Sequence, residues 1–216
     1  MRSQTLLLGL SFLLVLASCS TPPLVAAAKQ GDVRQIETLI TQHEDVECRS
    51  GGLTPLMWAS QEGHSSAVQV LLNHGADINA QTFDNNSALL WALLGQHFEV
   101  AKMLVLAGAE PNVLQTRFNK TPLMFAVQRE NVELVRALLI HGADPNTRGD
   151  HQHTALIHAA QFDAGEETIR LLLEHRAEVD VADADGQSVL YIAAWRGNLA
   201  LAKTLLGRGA KICVFR

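Results

Sequence analysis

The sequence predicts an all-α fold built from about six stacked helix-turn-helix units. The first observation behind this prediction is a Thr-Pro-Leu-like triplet that recurs at steps of 33, 34, 33 and 34 residues. The second is a Gly-Ala-Asp-x-Asn-like segment in the same frame, as at 75–79 and 142–146. Self-similarity at a fixed period of about 20–50 residues is the signature of a repeat architecture. The triplets begin at Thr54, Ser87, Thr121, Thr154 and Ser188.

The start of each unit predicts a first helix. A threonine caps it with its side-chain oxygen, and Pro55 or Pro122 follows at the first helical position, where the missing N–H costs nothing. An alanine five residues after the start of each triplet is small enough for neighbouring helices to approach closely. These alanines are Ala59, Ala92, Ala126, Ala159 and Ala193.

The second helix of each unit is indicated by a leucine pair, such as Leu71-Leu72 or Leu138-Leu139, and by the glycine that follows it. Glycine suits the left-handed conformation that commonly ends a helix. In the fifth unit Arg176 replaces this glycine, at a cost of about 1 kcal/mol if the position is left-handed. The same unit has one extra residue within 162–166, which predicts a longer turn between its two helices.

The two markers together resemble the ankyrin repeat, with its T-P-L-H-x-A opening and G-A-D-x-N close. The resemblance covers about residues 22–213. It implies an ankyrin-repeat solenoid in which the residues from the closing Gly-Ala to the next threonine form protruding β-hairpin loops. It divides this part of the chain into a degenerate N-terminal capping unit at 22–48 and five ankyrin repeats at 49–216.

The first twenty residues predict an export signal. Arg2 precedes an apolar run at 6–16, which is shorter than the roughly 20 residues that span a bilayer. The segment Leu16-Ala17-Ser18-Cys19 resembles a bacterial lipobox, which implies a lipoprotein signal peptide at 1–18 and a lipid on Cys19. The alternative is an ordinary secretory signal with an incidental cysteine, cleaved for example after Ser18.

The residue after Cys19 bears on the destination. It is Ser20 and not aspartate, which by resemblance to enterobacterial lipoproteins implies sorting to the outer membrane. The whole chain is thus similar to bacterial envelope ankyrin-repeat lipoproteins. We expect it in the bacterial cell envelope, lipid-anchored and facing the periplasm.

Composition and charge exclude several classes of fold and partner. Hydrophobic residues make up 48% of the chain but aromatics only 5%, so small and medium aliphatic side chains must fill the core. A formal net charge of -5 gives no sequence-independent attraction to nucleic acid. In the repeat frame Cys48 and Cys213 lie at opposite ends of the stack, too far apart for a disulfide.

No catalytic motif is found in the sequence. A Gly-rich phosphate loop, a G-x-S-x-G elbow and an H-E-x-x-H pair are all missing, so we predict no enzymatic activity, no cofactor and no small-molecule substrate. His151, His153 and His158 cluster around the fifth hairpin, but no cysteine or second motif completes a metal site. A metal-dependent enzyme built on this cluster is an alternative that bound zinc in purified protein would reveal.

The binding surface of ankyrin proteins is usually the concave face, made of hairpin tips and first helices. This family property is carried onto the chain by register. Interfaces favour aromatic residues and arginine as anchors, and the register predicts exposure of several large rings there. The predicted partner-binding residues are Phe83, Arg117, Phe118, Lys120, Arg129, His151, His153, Phe162, Trp195 and Arg196.

Other large side chains and charges are assigned to different surfaces. Trp58, Trp91 and Phe125 are expected to pack between units. Basic residues, with Arg148 among them, gather on the concave face, whereas the second helices carry glutamates. This division predicts a protein partner with an acidic patch. The glutamates are Glu99, Glu133, Glu167 and Glu174.

The leading hypothesis is a membrane-tethered periplasmic adaptor that holds one protein partner on its concave face. Its role could be that of an antidote (immunity protein), an enzyme stabiliser or an envelope scaffold, and the sequence does not rank these. A secreted effector that acts inside a host cell is the alternative, although lipidation of Cys19 argues against it.

Overall fold

The computed structural model describes residues 21–212. The predicted signal peptide at 1–18, the predicted lipidation site Cys19 and the thiol of Cys213 lie outside these residues. Over residues 21–212 the chain forms twelve α-helices in six consecutive pairs, each pair joined by a turn of two to four residues. The helices confirm the all-α prediction.

The twelve helices follow the repeat along the chain, and odd-numbered helices are the first of each pair. A short 3₁₀ helix at Asp150–Gln152 precedes the fifth pair. The α-helices are α1 (Pro23–Gln30), α2 (Val33–Thr41), α3 (Pro55–Gln61), α4 (Ser65–Asn73), α5 (Ala88–Leu94), α6 (Phe98–Leu106), α7 (Pro122–Gln128), α8 (Val132–Ile140), α9 (Ala155–Gln161), α10 (Glu166–Glu174), α11 (Val189–Arg196) and α12 (Leu199–Gly207).

The first helices begin where the triplets predict. The Thr54 hydroxyl accepts the backbone N–H of Met57, and Thr121, Thr154 and Ser188 cap their helices in the same way. Each such cap satisfies one of the N–H groups that a helix start leaves without a partner. In α5 the serine makes no side-chain cap bond, and its buried hydroxyl has no hydrogen-bond partner within residues 21–212.

The core is one continuous layer of aliphatic side chains running from Leu24 to Ala210. The five predicted alanines are completely buried, and successive odd-numbered helices pack against one another through this layer. Leucine, valine, isoleucine, alanine and methionine supply the filling, as the low aromatic content predicts. Trp58, Trp91 and Phe125 are partly buried and pack against this core, which confirms their predicted place between units.

Three of the five loops between units are hairpins closed by a single antiparallel bridge. Such bridges join Ser50 to Leu53, Gln115 to Lys120 and Ala182 to Ser188, and no longer strand forms within residues 21–212. Bonds to neighbouring loops add to the bonds within each loop.

A ladder of side-chain hydrogen bonds joins each hairpin to the next. Asn112 Oδ1 accepts the backbone N–H of Asp144 at 2.8 Å, and Asn146 Oδ1 accepts that of Glu178 at 2.8 Å. Asn79 and Asp180 make the corresponding bonds in their units. The last residue of the Gly-Ala-Asp-x-Asn segment thus connects units about one repeat apart, a role that the sequence analysis did not assign.

The two irregularities of the fifth unit are present. Four residues separate α9 from α10, whereas three separate α3 from α4, α5 from α6 and α7 from α8. Arg176 has a φ of +66°, so it occupies the left-handed position that glycine takes after α4, α6 and α8. None of the helices within residues 21–212 is long and apolar enough to cross a membrane.

Candidate protein-binding surface

Two opposite surfaces of the stack can be distinguished. We call the hairpins together with the C-terminal ends of the odd-numbered helices the hairpin face, and the even-numbered helices the outer face. All ten predicted partner-binding residues lie on the hairpin face, because each belongs to a hairpin or to the end of α7, α9 or α11.

Large aromatic side chains are exposed on the hairpin face. Phe83 is fully exposed, Trp195 is 74% exposed, and Phe118 and Phe162 are 43% and 41% exposed. The four rings are thus exposed, as the register predicts. Exposed large apolar rings that contribute little to the core are available for contact with a partner.

Two of these rings carry an arginine beside them. The guanidinium carbon of Arg117 lies 5.3 Å from the ring centroid of Phe118, and that of Arg196 lies 5.6 Å from the ring of Trp195. Both distances are within the range of cation–π attraction, which holds the charge over the ring face. The hairpin face thus presents pairs of one aromatic and one cationic side chain.

A second pair of cations lies at the two ends of α7. Lys120 directly precedes the cap of α7 and Arg129 directly follows its last residue, Gln128. Lys120 Nζ donates to Gln128 Oε1 at 2.8 Å. Burial and then the charge of Arg129 lower the pKa of Lys120, while Asp150 acts in the opposite direction.

The fifth hairpin and α9 assemble three histidines and a phenylalanine into a row of rings. The centroids of His151 and His153 are 5.8 Å apart, those of His153 and His158 are 5.3 Å apart, and those of His158 and Phe162 are 5.8 Å apart. His153 Nε2 also lies 3.2 Å from Gln161 Nε2. The structure therefore brings together three residues that the sequence assigns to the binding surface.

The sequence analysis gave His158 no place in the core, where the structure puts it. It is 97% buried, and its Nδ1 has no hydrogen-bond partner within residues 21–212. Burial, followed by the charges of Lys120 and His153, lowers its pKa to about 3. The signal was present in the register, because His158 takes the position that Trp58, Trp91 and Phe125 take in the preceding units.

Burial also lowers the pKa of His153, and the carboxylate of Asp183 opposes this. Asp183 Oδ2 is 3.9 Å from His153 Nε2, and Asp150 Oδ2 is 3.5 Å from His151 Nε2. Within residues 21–212 no group of three or more His, Cys, Asp or Glu side chains is arranged to hold a metal ion. The exposed rings of the row, those of His151 and Phe162, offer surface for contact with a partner.

The remaining predicted residues are distributed along the stack. Phe83 lies in the hairpin before α5, and Trp195 with Arg196 lies at the end of α11. Arg148 is exposed, and its guanidinium donates to the backbone oxygen of Ala182 in the next hairpin at 3.4 Å. Part of the predicted basic surface thus links neighbouring hairpins.

The outer face is less acidic than its glutamates alone indicate. Lys102 pairs with Glu133 at 3.4 Å, and Arg170 pairs with Glu167 at 2.6 Å. Arg170 also pairs with Glu174, and Arg136 with Glu167. These cations compensate Glu133, Glu167 and Glu174, so the division into an acidic and a basic side was too simple.

Comparison with known proteins identifies relatives of the whole described stack. The family model for ankyrin repeats (three copies) matches residues 24–115, 79–149 and 123–216. The putative ankyrin repeat protein YahD of Escherichia coli K12 is 29% identical over 190 residues, which are 85% of this chain and 94% of YahD. Longer relatives also match: the chain covers 18% of the rice protein named probable E3 ubiquitin-protein ligase XBOS33, at 37% identity over 92 residues.

Two solved structures have the same architecture. An ankyrin repeat domain from Acinetobacter baumannii AYE superimposes with a TM-score of 0.80 at 30% identity, covering 88% of this chain and 98% of that domain. The second is a chain from the complex of the predatory endopeptidase Bd0816 of Bdellovibrio bacteriovorus with the immunity protein Bd3460. It has a TM-score of 0.74 at 26% identity, covering 88% of this chain and 99% of that chain.

Proposed function

This chain belongs to the ankyrin-repeat family, and from that premise we propose that it is a protein-binding adaptor held in the bacterial cell envelope. The fold is typically non-catalytic, and ankyrin repeats are protein–protein interaction modules. The proposed anchor is a lipid on Cys19 of the lipobox-like segment, with the stack facing the periplasm. Binding, and not chemistry, is the proposed activity.

The observation that carries this proposal is the exposure of aromatic rings on the hairpin face. Trp195 and Phe118 each have an arginine held against the ring, and Phe162 stacks on His158 at the end of the row of rings. Aromatic and arginine side chains dominate the binding energy of protein interfaces. One protein partner lying across several hairpins would bury them together.

The role we propose first is that of an immunity protein, which binds an enzyme and restrains it. Support comes from the similarity to a chain of the complex between a Bdellovibrio endopeptidase and its immunity protein. Stabilisation of a periplasmic enzyme is a related role that would use the same face. Both roles require a stable complex with a single folded partner.

The test is capture of the partner from an envelope extract, with a protein that begins at Ser20 as bait. This protein keeps the whole described core, which runs from Leu24 to Ala210. In the variant Phe118→Ala with Trp195→Ala we expect capture to fall at least tenfold, which corresponds to about 1.4 kcal/mol. Both rings are exposed, so the melting temperature should barely change.

The matched control removes exposed apolar side chains from the outer face. Leu106 and Ile140 are 60% and 66% exposed at the ends of α6 and α8. Their double alanine variant should capture the partner like the wild type. Equal capture by both double variants would contradict binding on the hairpin face.

A further inference from the structure

The charges of the two faces are balanced differently. On the outer face Lys102, Arg136 and Arg170 each form an ion pair with a glutamate. On the hairpin face, neither Lys120 nor Arg129 forms an ion pair with a carboxylate of residues 21–212. These three outer cations are compensated within the chain, whereas Lys120 and Arg129 are available to an external anion.

Lys120 and Arg129 are brought together by α7. The bond from Lys120 Nζ to Gln128 Oε1, at 2.8 Å, holds the ammonium at the C-terminal end of the helix, where Arg129 follows. The same Nζ lies 5.9 Å from the ring centroid of Phe125. The partly buried ammonium of Lys120 and the exposed guanidinium of Arg129 therefore lie at the same end of α7.

Two like charges in such a position repel each other, and an anion bound between them would relieve the repulsion. The lowered pKa of Lys120, caused by burial and by Arg129, has the same origin. The carboxylate of Asp150 opposes this lowering of the pKa, but its Oδ2 lies 3.5 Å from His151 Nε2. It does not come within ion-pair distance of Lys120.

We infer that Lys120, Gln128 and Arg129 form a carboxylate-binding site, which takes an aspartate or glutamate side chain from a loop of the partner protein. The inference rests on the proposed function, because it places the partner on the hairpin face. Arginine offers a planar fork of donors to both carboxylate oxygens, lysine adds a compact charge, and the amide of Gln128 adds a further donor.

The surroundings favour a protein carboxylate next to an apolar side chain. Phe118 precedes Lys120 by two residues and exposes 43% of its surface, so a hydrophobic neighbour of the acidic residue can cover its ring. The pair of cations is specific to this unit, although the last unit has Arg196 at the position of Arg129, with Gln187 at that of Lys120. The same positions hold Asn86 and Gly95 in the preceding unit, and His153 and Phe162 in the following one.

The test is an NMR titration of the ¹⁵N-labelled protein that begins at Ser20. The probe is the peptide acetyl-Glu-Phe-Glu-amide, and the isosteric acetyl-Gln-Phe-Gln-amide is its neutral counterpart. We expect the acidic peptide to shift the amide signals of Lys120, Gln128 and Arg129. The protein should bind the acidic peptide at least ten times more tightly than the neutral one. The variant Arg129→Ala should bind the acidic peptide at least ten times more weakly than the wild type.

The matched control variant is Lys102→Ala, which removes a paired cation of the outer face and should bind the acidic peptide like the wild type. Unchanged binding by Arg129→Ala, or equal binding of the two peptides, would overturn the inference. Equal shifts with inorganic phosphate or with phosphatidylglycerol vesicles would overturn the assignment to a protein carboxylate. If the peptide fails while Phe118→Ala with Trp195→Ala still loses the partner, only the carboxylate site is wrong.

Discussion

At the scale of single residues, His158 stands out because a polar, titratable ring is buried in the core. An imidazole occupies a position that is filled by large aromatic rings in three preceding units. It keeps the stack continuous, because it packs edge-on against His153 and stacks on Phe162. It also leaves one ring nitrogen buried without a partner, which costs free energy wherever no water reaches it.

This burial makes the stability of the protein depend on pH. The folded pKa of His158 is lowered to about 3, while the unfolded side chain titrates near 6.5. Above pH 6.5 both states are neutral; as the pH falls below 6.5 the unfolded state gains a proton that the folded state does not. At pH 5 this group should therefore reduce the free energy of unfolding by about 2 kcal/mol.

The variant His158→Phe restores the ring type that Phe125 provides one unit earlier. Between pH 7.5 and pH 5 we expect its free energy of unfolding to fall by about 2 kcal/mol less than that of the wild type. Urea unfolding at both pH values measures this difference. His74→Phe, at an exposed helix end, is the control and should keep the wild-type pH dependence. Parallel losses in wild type and His158→Phe would show that other groups cause the acid sensitivity.

At the scale of elements, helices define the unit and hairpin bonds set the spacing between units. Each hairpin is closed by no more than a single bridge in the described chain, so it gains much of its order from its neighbour. Asn146 connects two units with both ends of its amide: Nδ2 donates to the oxygen of Arg176 at 3.0 Å, and Oδ1 accepts the N–H of Glu178 at 2.8 Å.

Removing this amide should therefore destabilise the whole stack. A hydrogen bond contributes about 1 kcal/mol net, so Asn146→Ala should lower the free energy of unfolding by about 2 kcal/mol. The control is Asn73→Ala, since within residues 21–212 that side chain accepts a bond from Gln69 on the same helix and none from another unit. Chemical denaturation of both variants gives the comparison, and equal stabilities would mean that the ladder contributes nothing measurable.

The sequence predicted the elements well because their signals are local. The capping Thr, the Pro after it and the closing Gly each act within one turn of helix, and they recur in frame. The contacts that were missed join different units: Lys102 to Glu133, or Asn146 to Glu178, lie 31 and 32 residues apart. Pairing them requires the rotation between neighbouring units, which a repeat period alone does not specify.

At the scale of the whole molecule, the stack is quasi-one-dimensional. Packing joins each odd-numbered helix to the next odd-numbered one and each even-numbered helix to the next even-numbered one, so each unit is supported by its neighbours. The consequence for function is that side chains of neighbouring units lie at a fixed spacing on the hairpin face. Phe118, Lys120 and Arg129 in one unit, and His153 and Phe162 in the next, are presented together without any rearrangement.

The proposed anchor would position this surface at the membrane. From Cys19 to the first residue of α1, Pro23, the chain spans four residues, which reach at most about 14 Å. A lipid on Cys19 would therefore keep the first unit close to the headgroups, while the hairpin face of the later units stays accessible to a periplasmic protein. Several acyl chains on one residue make such attachment firm, at about 0.8 kcal/mol for each buried methylene.

The anchor is tested by expressing the complete chain in a bacterium that is fed a palmitate analogue. Wild-type protein should carry the label and sediment with the membranes, and Cys19→Ala should lose the label and the membrane fraction. Cys48→Ala is the matched control, because Cys48 is a partly buried thiol within the described stack whose pKa burial raises; it should label like the wild type. A soluble, unlabelled wild-type protein would contradict the lipoprotein assignment. The proposal of binding on the hairpin face would stand, because that face does not include Cys19.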